Sequence, residues 1–238
     1  MGRAFEVRKA SMANTAAAKT KVYSRYGKEI YMAAKAGVPD PEMNTGLKRI
    51  IEVARSKQVP ADVINRAIEK AKGGSEDNYH AVRYEGFGPG ASTFIVECLT
   101  DNDNRTVSEV RNAFTKSKSK MGVSGSVMHS YDHVAIVSFM YDDEEKVIEA
   151  LLENDVDFSD IESEDGSITV TLDTTELHNA KDALEKELGD ITFDVFDITY
   201  LAHEDVTLDE EDMPMFDKLN AMLEECEDVQ EVFHNVKL

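Results

Sequence analysis

The chain has 238 residues, 42% of them hydrophobic, which suits one large domain or two to three small ones with real cores. No apolar run approaches the roughly 18 residues of a membrane span. The basic start MGRAFEVRKASMAN lacks a signal-peptide core, and the two distant cysteines, Cys98 and Cys226, read as reduced thiols, so a cytoplasmic protein without membrane contact or disulfide scaffold is expected.

The net charge of −21 hides a gradient. Residues 1–72 hold 15 Lys+Arg against 7 Asp+Glu, residues 73–121 hold 6 against 7, and residues 122–238 hold 5 against 33. Such asymmetry suggests a basic segment that meets a polyanion, with an acidic remainder that orients the molecule on it.

Residues 1–12 read as a basic tail carrying Arg3, Arg8 and Lys9. An Ala- and Lys-rich helix is expected from Ala13 to Ala36, with Val22, Tyr26 and Ile30 on one face, ended by Gly37 and the turn PDP. A second helix is expected from Glu42 to Lys57, with Leu47, Ile50, Ile51 and Ala54 at helical spacing. A third follows Pro60 with Ile64, Ala67, Ile68 and Ala71, and Gly73-Gly74 ends it. The short turn between the last two permits a helix-turn-helix, although any helical bundle shares that signal.

The stretch RYEGFGPGAS at 83–92 lacks the strand-loop-helix context of a phosphate cradle, because STFIVECLT after it reads as a strand. That strand would turn Thr93, Ile95 and Glu97 outward and Phe94, Val96 and Cys98 inward. A helix over 104–118, capped by Asp101 or Asp103, and a strand over 125–131 come next. The order is then strand 133–140, helix to Glu153, strands VDFSDIE and SITVTLD around Asp165-Gly166, helix from Thr174 or Thr175 to Leu188, and strand ITFDVFDITYLA. This is βαββαβ, the ferredoxin-like pattern. A short strand at 203–207, a helix at 209–225 and a strand at 229–235 complete the chain.

The expected fold is therefore α+β and multidomain. Residues 1–78 form a basic tail and three-helix domain. Residues 79–131 with 203–238 form an outer α+β domain. Residues 132–202 form an acidic ferredoxin-like domain inserted in it.

Signatures of chemistry fail one by one. His129 and His133 lie in or between strands without a third ligand. DNDNRT has Thr106 and Asn112 where a calcium loop needs Gly and Glu. GVSGS has Ser126 where a nucleophile elbow needs Gly. The strand SITVTLD lacks the aromatics of an RNA-recognition module. No enzyme, metal site or cofactor is expected. The remaining candidate surface is the basic one, Arg3, Arg8, Lys9, Lys19, Lys21, Arg25, Lys28 and Lys35, with Tyr23 and Tyr31 interleaved for stacking.

PDPEMN, Leu47, Ile51, Ala54, Pro60, Ile64, AIEKAKGG, YEGFGPG, TDNDNRTVSEVR and GSV at 125–127 together resemble the YebC/PmpR family over nearly the whole chain. The start MGRAF resembles a branch with Phe5 where relatives often carry Trp, and Lys118-Ser119 stands where the family usually has Gly-Gly. The resemblance implies a three-domain cytoplasmic protein. It also implies a probable DNA-binding transcriptional regulator, or a translation factor working at the ribosome like the mitochondrial activators of cytochrome oxidase synthesis. Arg83 and Arg105, in the matched loops, become nucleic-acid contacts on this reading, while the residues alone accept a structural role for both loops. The expectation is a non-enzymatic regulator of gene expression that binds DNA or RNA, with RNA or ribosome contact favoured by the spread of its cations. The rival is a protein-interaction adaptor that uses its acidic half.

Overall fold

Three helices, α1 (Ala16–Ala36), α2 (Thr45–Ser56) and α3 (Ala61–Lys72), close on one apolar core in the computed structural model, which describes residues 16–73 and 78–237. The helical stripes read from the sequence are the buried ones: Tyr26 and Ile30 from α1, Leu47, Ile51 and Ala54 from α2, Ile64, Ala67 and Ile68 from α3. Ile30 and Leu47 are fully buried, each contributing about 1.5–3 kcal/mol. Helix α2 starts three residues later than expected because Asn44 caps it, accepting the Leu47 amide at 3.0 Å. The Asn44 side-chain amide also donates to the carbonyls of Ala33 and Val38, both at 3.0 Å, and so fixes the turn after α1. Gly73 caps α3. Gly74, most of the GGSEDN linker and the tail at 1–12 lie outside the described residues.

Among the described residues, eight strands build two four-stranded antiparallel sheets. Chain order is β1 (His80–Phe87), β2 (Thr93–Thr100), α4 (Asp103–Lys116), β3 (Lys120–Met121), β4 (Tyr131–Met140), α5 (Glu144–Glu153), β5 (Phe158–Glu164), β6 (Ser167–Asp173), α6 (Leu177–Leu188), β7 (Phe193–Ala202), α7 (Met213–Glu225) and β8 (Val229–His234). The first sheet has the order β3-β1-β2-β8 and the second β5-β6-β4-β7. The second sheet thus comes from a continuous stretch that lies, in sequence, between β3 and β8 of the first. The Asp165-Gly166 turn joins β5 and β6 with both residues at positive φ, 53° and 73°, as a tight hairpin requires.

Several elements differ from expectation. Strand β1 is an addition, and it pairs along its whole length with β2. No strand spans 125–131: the segment is a loop and a short 3-10 turn at Met128–Ser130. Nor is there a strand at 203–207, only a single parallel bridge between Val206 and Val236. Asn102, rather than Asp101 or Asp103, caps α4, accepting the Arg105 amide at 3.1 Å. Helix α6 begins at Leu177, because Thr174–Glu176 form a 3-10 turn capped by Asp173.

Helices α4 and α7 cover one face of the first sheet, where Phe94, Val96 and Cys98 meet Val110, Phe114, Phe216, Leu219 and Leu223. Burial pushes the Cys98 thiol up to about 12. The opposite face is also covered. Ile95, expected to point outward, is fully buried with Val127, Tyr131, Tyr200 and Ala202, which join the first sheet to the second.

Candidate nucleic-acid interface

Lys21, Arg25 and Lys28 recur at i, i+4 and i+7 along α1 and therefore share one face. That face is turned to α7 and β8. Lys21 Nζ donates to the Glu224 carbonyl at 2.7 Å. Arg25 donates to Glu231 at 2.6 Å and to Glu29 at 2.9 Å. Lys28 Nζ donates to the Glu227 carbonyl at 3.1 Å and lies 3.7 Å from the Asp228 carboxylate. Lys57 adds a 2.5 Å ion pair with Asp197 of β7. Burial lowers the Lys21 pKa against the pull of Glu224. Burial works the same way on Arg25, but Glu231 and Glu29 outweigh it and raise that pKa. The acidic half already holds much of the basic face.

Of the other α1 candidates, Lys35 donates to Asn78 at 3.3 Å and stands 5.5 Å over the Tyr31 ring. Lys19 is exposed. Arg3, Arg8 and Lys9 lie outside the described residues. Tyr31, expected as a stacking platform, is a core residue, 2% exposed and edge-on to Tyr79 at 6.2 Å. Tyr23 is half-buried against the same core.

The glycine-rich loop has a structural explanation at each glycine. A Cβ on Gly86 would lie 2.4 Å from the Phe114 ring, and one on Gly88 would lie 2.4 Å from Phe94. Gly90 turns the hairpin at φ 59°. Beside them in β1 stands Glu85, 3% exposed. Its carboxylate accepts the amides of Gly125 at 2.6 Å, Val127 at 2.6 Å and Met128 at 3.0 Å. Burial would raise the Glu85 pKa, but the three amides outweigh it and hold the group below its ordinary value. YEGFGPG and GSV, which read as separate motifs, are thus one knot.

A second knot explains DNDNRT. Asp228 is 1% exposed and accepts from Arg105 Nη2 at 2.7 Å, Arg105 Nε at 3.0 Å, Thr106 Oγ1 at 2.8 Å and Thr100 Oγ1 at 3.2 Å. Burial would raise its pKa, and Arg105 and Thr106 bring it down. Arg105 also reaches Asp101 at 2.8 Å. Arg83 pairs with Glu97 at 2.7 Å and stacks over Tyr200 at 5.1 Å. Arg25, Glu29, Arg83, Glu97 and Gln230 line a cleft of about 420 Å³ between α1 and the first sheet.

Cations without a side-chain partner among the described residues include Lys19, Lys48, Arg49 and Arg55 on the helical unit, and Arg111, Lys116, Lys118 and Lys120 around the end of α4. The near-zero charge of 73–121 hides the second group. The signal that finds it is local: residues 110–131 contain no Asp or Glu.

A family model described as the TACO1/YebC protein N-terminal domain matches residues 3–74, and one described as the TACO1/YebC second and third domain matches residues 79–236. A probable transcriptional regulatory protein of Marinobacter nauticus is 56% identical over 238 residues, covering 100% of this chain and 99% of its own. The probable transcriptional regulatory protein MADE_1004275 of Alteromonas mediterranea is 52% identical over 235 residues, covering 99% of this chain and 98% of its own. The crystal structure of the conserved hypothetical protein Aq1575 from Aquifex aeolicus superposes with a TM-score of 0.76 at 34% identity, over 94% of this chain and 93% of that one.

Proposed function

Since the chain belongs to the TACO1/YebC family, we propose that it regulates gene expression by binding nucleic acid, without catalysis of its own, in the cytoplasm. The observation that carries this reading is the charge segregation: a net +8 over residues 1–72 against 33 acids and 5 cations over 122–238. Nucleic acid would use the free Lys19, Lys48 and Arg55, and would compete with the acidic half for Lys21, Arg25 and Lys28. Arg3, Arg8 and Lys9 would extend the contact. Arg83 and Arg105 serve it indirectly, by holding the loops and sheets in place.

RNA, including ribosomal RNA, is the favoured partner. A major-groove reader needs a helix whose free polar side chains reach base edges. On α3, Arg66 and Lys72 each stand beside an acid of the same helix, Asp62 at 2.7 Å and Glu69 at 2.8 Å, which lowers the positive charge that helix would bring to a groove. Backbone-following contact with folded RNA asks only for spread cations. The relatives' names, probable transcriptional regulatory proteins, point to transcription instead. Crosslinking in growing cells, followed by sequencing of both DNA and RNA, decides the matter: ribosomal RNA enrichment is expected. Discrete DNA peaks upstream of genes without it would overturn the RNA preference, and no enrichment of either polymer would favour a protein adaptor.

We also read residues 132–202 as a ferredoxin-like domain inserted in the outer one. The strand order β5-β6-β4-β7 with α5 and α6 on one face supports this reading. No described helix is long and apolar enough to cross a membrane.

A further inference from the structure

We propose that the end of α4, its turn and β3 form a contact surface for the backbone of single-stranded nucleic acid, with Phe87 as a platform for one base. The proposal rests on the nucleic-acid reading above and gives it a site away from α1.

Three observations meet here. Arg111, Lys116, Lys118 and Lys120 are exposed, have no side-chain partner among the described residues, and lie in a stretch without an acid. Lys218 of α7 adds a fifth cation, its Nζ donating to the Lys116 carbonyl at 2.8 Å. The negative end of the helix dipole accounts for a cation at Lys116, but not for those beyond the helix.

Lys118 occupies a conformation that side chains avoid. The Ser119 amide donates to the Phe114 carbonyl at 2.8 Å and the Lys118 amide to that of Thr115 at 3.2 Å, closing the helix with Lys118 at φ 54°. Glycine is the usual residue at that place, because a Cβ crowds the following carbonyl. Gln58 and Asp155 close α2 and α5 in the same way, at φ 58° and 54°, so the turn itself is an ordinary helix end, and what sets Lys118 apart is an exposed cation without a side-chain partner at its tip.

The third observation is Phe87. It stands opposite Lys120 in the β1–β3 register. Met121 packs into the helix-covered core, so Lys120 and Phe87 project from the other face. Phe87 is 43% exposed on a sheet whose edge strand is β3, and Val123 beside the same turn is 77% exposed. Cations that follow a backbone beside an open aromatic ring suit a single strand. A duplex keeps its base faces stacked within and offers Phe87 nothing.

The test uses the full chain and fluorescein-labelled 12-nucleotide RNA and DNA single strands of one sequence, with their duplexes, in anisotropy titrations over a range of salt. The variant Lys116→Glu/Lys118→Glu/Lys120→Glu should lose at least about tenfold in affinity. Its log–log salt slope should fall by about 2, at roughly 0.7 for each phosphate no longer neutralised. Phe87→Ala should lose about fivefold or more for single strands and nothing for duplexes. The charge-matched Lys146→Glu/Lys181→Glu/Lys186→Glu should retain affinity within about threefold, since general charge repulsion is screened. Lys118→Gly guards against misfolding: it relieves the backbone and should melt no lower than the parent, yet bind more weakly. Loss in either single-strand arm supports the site, and the tighter arm identifies the polymer. If the parent binds and the α4–β3 variants bind equally well, or lose no more than the control, this site is refuted while the functional reading stands. If the parent binds neither RNA nor DNA, both fall.

Discussion

Glu85 offers the sharpest check on how the loop at 122–128 is held. Glu85→Ala removes the acceptor of three amides. Gly125 is exposed and recovers water, Met128 is half-buried, and Val127 is 1% exposed and recovers nothing. With a stranded buried donor costing about 1–3 kcal/mol, about 2 for Val127 and about 1 for Met128 give a loss of about 3 kcal/mol. For a chain of this size that is a fall of roughly 6–12 °C in Tm, with faster amide exchange at Val127. Glu85→Gln keeps one oxygen but turns an NH2 toward an amide and forfeits the charge-assisted bonds, so about 2 kcal/mol is expected. The pH dependence carries a sign. The folded pKa lies below the ordinary value, so the carboxylate's contribution is full above the unfolded value of about 4.3 and fades as pH falls through the folded one. The gap between parent and Glu85→Gln should be widest above about pH 5 and close on acidification. A Glu85→Ala protein melting within about 2 °C of the parent at pH 7, or a gap that widens in acid, would refute the reasoning.

Asp228→Ala leaves the buried Thr100 and Thr106 hydroxyls without their carboxylate acceptor, while the half-exposed Arg105 keeps Asp101; it should cost about 1–3 kcal/mol, measured by chemical denaturation. Asp228→Asn should cost less, since it still accepts one donor. Gly86→Ala drives a methyl to 2.4 Å from the Phe114 ring and should destabilise by about 1–3 kcal/mol, with a Tm near the parent's as the contrary result. A fragment of residues 131–203 should fold alone and give dispersed amide NMR signals, whereas a disordered spectrum would defeat the inserted-domain reading.

Amphipathic helices and the β5–β6 hairpin are legible in the sequence because their signals are local: apolar spacing in Leu47, Ile51 and Ala54, and two residues suited to positive φ at Asp165-Gly166. Strand β1 is not legible, because HAVRYEGF is half exposed and shows no clean alternation. The segment at 125–131 looks β-forming through Val127, Met128 and Tyr131, yet its amides go to a carboxylate 40 residues away, which no local pattern reveals. The site shows the same divide. The basic and acidic halves are plain in the composition, while the pairing of Arg25 with Glu231 across 206 positions is not. Summing charge over 73–121 averages the lysines near α4 against acids folded elsewhere.

The outer sheet also sets an order of assembly on the growing chain. Strand β2 has β8 as one neighbour, and Phe94 meets His234 only when some 140 further residues have been made (234 − 94). At roughly 5–20 residues per second, the intervening chain takes on the order of 10–30 s to synthesise. For that time β1 and β2 form a hairpin whose apolar flank, with Phe94 and Val96, waits for α7 and whose edge waits for β8. The stretch carrying β4–β7 can pair within itself meanwhile, which makes the late-arriving C-terminal helix and strand the step that closes the nascent protein and the one most open to non-native pairing if synthesis stalls.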